Sequence, residues 1–184
     1  AEGGCVCIPD PDQMGDPAYL QAWIQKSGVT IWNSAPMFLQ LYVRGMQRSN
    51  SDVFSNIRLV LLSGDWIPMD LPGKSRQFKS QLEIVSLGGA TEASIWSIWY
   101  PIEVDADLSG WNSIPYGYPM RNQTFHVLDS QMEPCPEWKT GELYIGGTGL
   151  ARGYWRDQER THASFVTHPE TGERLYRTGD LGRY

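Results

Sequence analysis

Through its first half this chain alternates strand-length apolar runs with amphipathic stretches, and after residue 93 the alternation stops. Cys5–Ile8 is an apolar run of strand length. Asp16-Pro17 then opens a helix, with Asp16 in the N-cap role and Pro17 at the first helical position, where a missing N–H costs nothing. Tyr19, Leu20, Trp23 and Ile24 share one helical face, and Ser27-Gly28 closes the segment. Val29–Trp32 reads as a strand, and Pro36 starts a second helix on which Met37, Leu41 and Met46 recur at near-helical spacing. Ile57–Leu62 is a third strand followed by a turn at Ser63-Gly64-Asp65, Leu71–Ser80 is helical, and Leu82–Leu87 is a fourth strand. Successive strands separated by helices imply crossover units and a parallel sheet.

The second half has another style. Trp96–Ile102, Gln123–Leu128 and Glu142–Ile145 read as strands set between Gly, Pro and Asn clusters, with one helix at Asp157–Phe165 capped by Asp157. The fold class expected is α/β, with a partial parallel-sheet subdomain over residues 1–102 and a β-rich, distorted-barrel subdomain over residues 103–184. The boundary falls near Pro101–Gly110, where acidic and polar residues interrupt the apolar runs.

Composition narrows the function. The 184 residues are 41% hydrophobic, enough for a buried core, and no stretch approaches the roughly 20 apolar residues of a membrane helix. Net charge is −6 with Lys and Arg scattered, so a nucleic-acid footprint is absent. A nucleotide remains compatible, because backbone N–H groups and a metal ion hold phosphates without a basic surface. Cys5, Cys7 and Cys135 are an odd set without framework spacing. Cys5 and Cys7 are read as buried strand thiols rather than metal ligands, and the reducing cytoplasm as the compartment.

Three glycine-rich segments carry the chemistry. Gly88-Gly89-Ala90-Thr91-Glu92 follows a strand, where ligands of open α/β sheets bind. Paired glycines let the backbone approach a ligand, and a hydroxyl beside a carboxylate offers a phosphate contact and a hard ligand for Mg²⁺. The segment also reads, alone, as a turn capping a helix. Gly141-Glu142-Leu143-Tyr144-Ile145-Gly146-Gly147 runs on to Gly149–Trp155, and Glu142 within it is either a catalytic carboxylate or a strand-edge charge. Tyr176-Arg177-Thr178-Gly179-Asp180 ends in a carboxylate on a tight turn, which suits vicinal hydroxyls and equally suits a surface turn.

In order and spacing these segments resemble the core motifs of adenylate-forming enzymes, and most closely the adenylation domains of nonribosomal peptide synthetases; the resemblance covers essentially the whole chain. It implies an ATP-dependent ligase in which a carboxylate attacks the α-phosphorus and pyrophosphate leaves. It implies that Thr91 contacts the α-phosphate, Glu92 coordinates Mg²⁺, Asp180 binds ribose, and Gly141–Trp155 is an architectural hairpin. Most such relatives carry an adenine-stacking aromatic where this chain has Gly88, so adenine binding is expected to lean on backbone near Gly64, Gly88 and Gly89, or on residues outside this sequence. That departure is similar to the subset supplying cysteine to heterocyclising synthetases.

The resemblance also implies a substrate pocket of Asn33, Leu61, Ser63, Leu87, Ile95 and Trp96, a set similar to the signature for L-cysteine. Physically, three aliphatic side chains and an indole make a dry, crowded cavity, while Asn33 and Ser63 offer two polar contacts. Residue chemistry alone gives a small, weakly polar side chain. The implied partners are L-cysteine, ATP, a carrier protein bearing phosphopantetheine, and heterocyclisation or condensation domains, with a thiazoline ring downstream. The phosphate loop and the Asp for the α-amino group are expected before Ala1, and the catalytic Lys after Tyr184. The chain is therefore read as an internal fragment, inactive alone. Alternatives are another small amino acid (Val, Ala or Ser), an acyl- or aryl acid–CoA ligase fragment, and a non-catalytic nucleotide-binding module.

Overall fold

The computed structural model describes residues 3–49, 54, 56–106, 108 and 110–184. Helix α1 spans Pro17–Ser27, and it forms where the local signals place it: the Asp16 carboxylate accepts the Ala18 N–H at 2.9 Å, and Gly28 takes the left-handed cap (φ 61°). Strand β1 is Ile31–Ser34, α2 is Pro36–Ser49, β2 is Leu59–Ser63, α3 is Leu71–Arg76 and β3 is Glu83–Gly88. Strands β4 (Ile98–Ile102) and β5 (Tyr118–Pro119) complete a five-stranded sheet in the order β1-β2-β3-β4-β5. Strands β1 and β2 are parallel, with Trp32 beside Val60 and Asn33 beside Leu61; β4 and β5 are antiparallel. Strands β6 (Gln123–Leu128), β7 (Gly141–Gly147), β8 (Phe165–Thr167) and β9 (Arg174–Gly182) form a separate antiparallel sheet in the order β6-β7-β9-β8, with helix α4 at Gln158–Ser164. The fold is thus α/β with a parallel-containing sheet and an antiparallel one, as expected.

Two compact units contain these elements. One is Ala1–Ser86 with Tyr100–Pro115, and the other is Leu87–Trp99 with Tyr116–Tyr184. The chain thus passes between units at three points, where the sequence suggests one boundary after residue 102. Strands β3 and β4 are each continuous across a crossing, so no break in apolar pattern marks it.

The first unit's core joins Leu20 and Ile24 of α1, Leu39, Tyr42, Val43 and Met46 of α2, and Trp32, Val60, Leu62 and Ile84 of the strands. Each such side chain, fully buried, contributes about 1.5–3 kcal/mol. This corrects the expected face of α2: Met37 is 71% and Leu41 47% exposed, and only Met46 of the three faces inward. Leu39, Tyr42/Val43 and Met46 follow the i, i+3/i+4, i+7 rule, and the Tyr42 ring stacks 5.0 Å from Trp32. A second correction concerns Cys5–Ile8. The segment is not a strand, Val6 and Ile8 are 85% and 78% exposed, and Cys5 and Cys7 are exposed thiols. Apolar alternation becomes a strand only where another strand accepts its hydrogen bonds. Cys135 is buried, packed with Val127 and Leu143.

Candidate active site

The polypeptide leaves β3 at Gly88, passes Gly89 (φ 138°), and enters a 3₁₀ turn at Thr91–Ala93. The turn is tied by the Ala93 and Ile95 N–H groups, both donating to the Ala90 carbonyl at 2.9 Å. The buried Ser97 hydroxyl donates to the Ala93 carbonyl at 2.8 Å. Ser94 and Ile95 then take consecutive positive φ values, 65° and 67°. For β-branched Ile95 this is a strained conformation, of the sort stored at functional sites. The Gly141–Trp155 segment supplies the restraint. Ser94 Oγ donates to the Gly149 carbonyl at 2.7 Å, and the Ala151 N–H donates to the Glu92 carbonyl at 2.7 Å.

Glu92 sits half-buried at the centre of this turn. The Tyr154 hydroxyl donates to its Oε1 at 2.6 Å. Partial burial pushes the Glu92 carboxyl upward, but hydrogen bonds from Tyr154, the backbone and Tyr176, with the Arg160 charge, outweigh it and hold the group below the usual carboxylate range. Tyr154 is itself fixed. Its N–H donates to Thr161 Oγ1 at 2.9 Å, its ring packs against Phe165, and the Arg160 guanidinium lies 4.1 Å over its face. Burial, together with Tyr154 and Glu92, raises the Tyr176 phenol, so it stays a neutral donor. Neither tyrosine is marked by the sequence motifs as a partner of Glu92. Thr91, next to Glu92, is exposed.

Asp180 is placed by an irregular ladder. Glu142 pairs with Leu181 and Tyr144 with Arg177, so Leu143 alone stands opposite Thr178, Gly179 and Asp180. Gly179 takes φ 80°, the Thr178 hydroxyl donates to the Leu143 carbonyl at 2.7 Å, and the Asp180 N–H donates to Thr178 Oγ1 at 3.0 Å. The bulge pushes the Asp180 carboxylate out of the sheet's alternation into solvent.

Beside Gly88 and Gly89 stands Tyr116, which the motifs do not mark. A Cβ built on Gly88 would lie 2.1 Å from Tyr116 Cε2, and the Gly89 N–H donates to the Tyr116 hydroxyl at 2.9 Å. Burial raises the Tyr116 phenol; the Gly89 bond opposes that and the Asp180 charge adds to it, so Asp180 lies within electrostatic reach of the same ring. The Gly89 N–H is engaged inside the protein, and an aromatic ring already stands beside Gly88.

Gly88, Gly89, Thr91, Glu92 and Asp180 all belong to the second unit, where Tyr154 and Tyr176 flank Glu92, and Tyr116 flanks Gly88 and Gly89 and feels the Asp180 charge. In that unit Leu87 is buried, Ile95 is 62% exposed, and the Trp96 indole nitrogen is buried with no hydrogen-bond partner among the described residues. In the first unit, Asn33 and Leu61 are neighbours across β1 and β2, on the face opposite Trp32 and Leu62, and Ser63 follows two residues on. Gly64 makes the turn after β2 with φ 88°. Glu142 is paired with Arg177 at 2.7 Å and accepts the Tyr144 hydroxyl at 3.1 Å, which favours a structural charge over a catalytic one.

Among the described residues no group of three or more His, Cys, Asp or Glu is arranged to hold a metal ion. A single ionised carboxylate still suits Mg²⁺, which takes one or two protein oxygens and fills the rest of its shell with phosphate and water. Glu92 has lone pairs beyond those its two phenolic donors use. No helix among the described residues is long and apolar enough to cross a membrane.

A family model described as AMP-binding enzyme matches residues 1–155. The chain belongs to this family. It is 46% identical over 175 residues to bacitracin synthase 1 of Bacillus licheniformis, covering 93% of this chain and 3% of that protein. It is 44% identical over 185 residues to the pyochelin synthetase PchF of Pseudomonas aeruginosa, covering 100% of this chain and 10% of that one. The nonribosomal peptide synthetase FmoA3 in its AMPPNP-bound form superposes with a TM-score of 0.89 at 43% identity, over 95% of this chain and 19% of that chain. Its α-methyl-L-serine-AMP-bound form gives 0.86 at 44%, over 92% and 19%. The chain thus spans only a small part of these relatives' length.

Proposed function

We propose that this chain is the central part of a nonribosomal peptide synthetase adenylation domain, selecting L-cysteine and joining it to AMP. The observation that carries the reading is the Glu92 carboxylate, kept ionised by phenolic donors in a clamped, strained turn beside the exposed Thr91. Glu92 supplies the protein's oxygen to Mg²⁺, and Thr91 contacts the α-phosphate. Asp180 accepts hydrogen bonds from the ribose diol. In the reaction an amino-acid carboxylate oxygen forms a bond to the α-phosphorus, the α–β phosphoanhydride bond breaks, and pyrophosphate carries the electron pair away. The phosphopantetheine thiol of a carrier domain then attacks the adenylate's carbonyl carbon, a thioester forms and AMP leaves, with heterocyclisation to a thiazoline following.

Cysteine is favoured by Asn33 beside Leu61 on one sheet face, with Ser63 on the same strand, members of the set similar to the signature for that amino acid. The second reading is a serine-like substrate, because FmoA3 was seen with α-methyl-L-serine-AMP. Discrimination by such a pocket is worth about 1–3 kcal/mol per methylene, so valine is expected to leak in weakly. The deciding experiment is amino-acid-dependent ATP–pyrophosphate exchange by the full-length protein. Cysteine is expected to give the highest kcat/KM among cysteine, serine, α-methylserine, alanine and valine. A better result with serine or valine overturns the substrate assignment, and no exchange with any of them overturns adenylation.

A further inference from the structure

Tyr116 is the residue here whose position no motif explains. It sits in the loop before β5, between Pro115 and Gly117, and its ring rests against a backbone position that has no side chain. At Gly88 an added Cβ would meet Tyr116 Cε2 at 2.1 Å and Cζ at 2.7 Å, with Ile98 Cγ2 at 2.9 Å. The Gly88 φ is not in the left-handed region, so the backbone there would accept any residue. What requires glycine is the space taken by neighbours, chiefly the Tyr116 ring and, behind it, the Ile98 methyl. Gly88 and Tyr116 are therefore one steric unit.

The ring is also oriented. Its hydroxyl accepts the Gly89 N–H at 2.9 Å, and it packs perpendicular to Phe125 at 6.0 Å between centroids and 84° between planes. Yet the residue remains 44% exposed. A tyrosine fixed at its hydroxyl and along one flank, with its remaining surface open, is a flat apolar platform. Asp180 lies within electrostatic reach of it.

We propose that Tyr116 is the base-binding residue of this site: its ring, seated in the space Gly88 leaves, stacks on the adenine of ATP while Asp180 holds the ribose. The aromatic surface has moved from the strand end to a loop 28 positions later, and Gly88 is glycine because the incoming ring needs the volume. The proposal rests on the nucleotide reading above and assigns the residue that reads the base.

The test uses the full-length protein and two probes, AMPPNP and inorganic tripolyphosphate, the second lacking a base. Stacking on a single aromatic is worth a few kcal/mol at most, so Tyr116→Leu is expected to raise the Kd for AMPPNP roughly ten- to hundredfold. Tripolyphosphate binding and the KM for the amino acid stay within about twofold. Tyr116→Phe keeps the ring and holds AMPPNP to within about fivefold of the parent. Gly88→Tyr combined with Tyr116→Leu, which moves the ring back to the strand end, recovers most of the loss. Independently of any variant's folding, photolysis of bound 2-azido-AMP is expected to label Tyr116 itself. AMPPNP binding by the parent that is unchanged in Tyr116→Leu, or a photolabel lying elsewhere, overturns the assignment of Tyr116 and leaves the nucleotide reading standing. No AMPPNP binding by the parent overturns both.

Discussion

Removing one oxygen from Tyr154 isolates the contribution of the Glu92 carboxylate to the turn that carries it. Tyr154→Phe keeps the ring against Phe165 and under the Arg160 guanidinium, and deletes only the 2.6 Å hydrogen bond to Glu92. A hydrogen bond to a charged group contributes about 1.5–3 kcal/mol when well buried. Glu92 is only half-buried and Tyr176 remains as a second donor, so we expect a loss nearer about 1 kcal/mol. The sign with pH follows from the depressed Glu92 carboxyl. Its bonds contribute stability that is fully present above the unfolded-state carboxylate pKa and is lost as pH falls through the folded one. The reporter is the Ala151 amide, which donates to the Glu92 carbonyl and exchanges with solvent only when the turn opens. In the full-length protein at neutral pH, Tyr154→Phe is expected to speed exchange of that amide about fivefold, the factor that about 1 kcal/mol represents. Below the carboxylate range, after correction for intrinsic exchange, variant and parent should converge. An equal difference at both pH values would refute the reasoning, because it would place the effect in ring packing rather than in the charge.

Other substitutions test the frame. Tyr42→Phe should leave stability unchanged or raise it by up to about 1 kcal/mol, because the buried Tyr42 hydroxyl finds no partner among the described residues; a fall in the first thermal transition would contradict this. Gly147→Ala forces a side chain onto φ 101° with its Cβ 2.2 Å from the Asn122 carbonyl oxygen, a backbone atom that cannot swing away. The cost is at least about 2 kcal/mol, read as lost soluble protein or an early thermal transition. Glu142→Gln breaks the partly exposed pair with Arg177 and should cost no more than about 1 kcal/mol, with the KM for ATP unchanged in pyrophosphate exchange; a large rise in that KM would give Glu142 a role in the site.

Local signals were legible in the sequence and long-range ones were not. Helices α1 and α4 begin where Asp16 and Asp157 predict, because a cap is settled by a carboxylate two or three residues from the amide it binds. Strand β6 occupies the residues expected, Gln123–Leu128. The inward face of α2 is not legible from the spacing of Met37, Leu41 and Met46, because Tyr42, despite its polar end, buries its ring against Trp32 and with Leu39, Val43 and Met46 makes the inward stripe. The glycine motifs located the Gly88–Glu92 turn and the Asp180 bulge, since both depend on backbone that side chains must not obstruct. Tyr116 and Tyr154 stayed hidden for the opposite reason. They meet Gly89 and Glu92 across 27 and 62 residues of chain, and a pairing made by tertiary folding leaves no periodicity behind.

Those long-range contacts also explain why a segment with no reacting group runs through Gly141–Trp155. Two successive left-handed residues at Ser94 and Ile95 cost of order 1–3 kcal/mol each. The turn's own bonds to the Ala90 and Ala93 carbonyls are joined by restraints from a distance, through the Gly149 carbonyl, the Ala151 amide and the Tyr154 hydroxyl, all delivered by the stretch that follows β7. Close packing against β6 requires glycine at 147, at the end of β7, where a Cβ would run into the Asn122 carbonyl oxygen; at 146 and 149 a Cβ would have to displace the Glu173 and Thr124 or the Gln123 side chains. The glycines of the middle motif therefore act on the first motif by letting a clamp approach it. They steady the turn that carries Glu92 without touching its carboxylate.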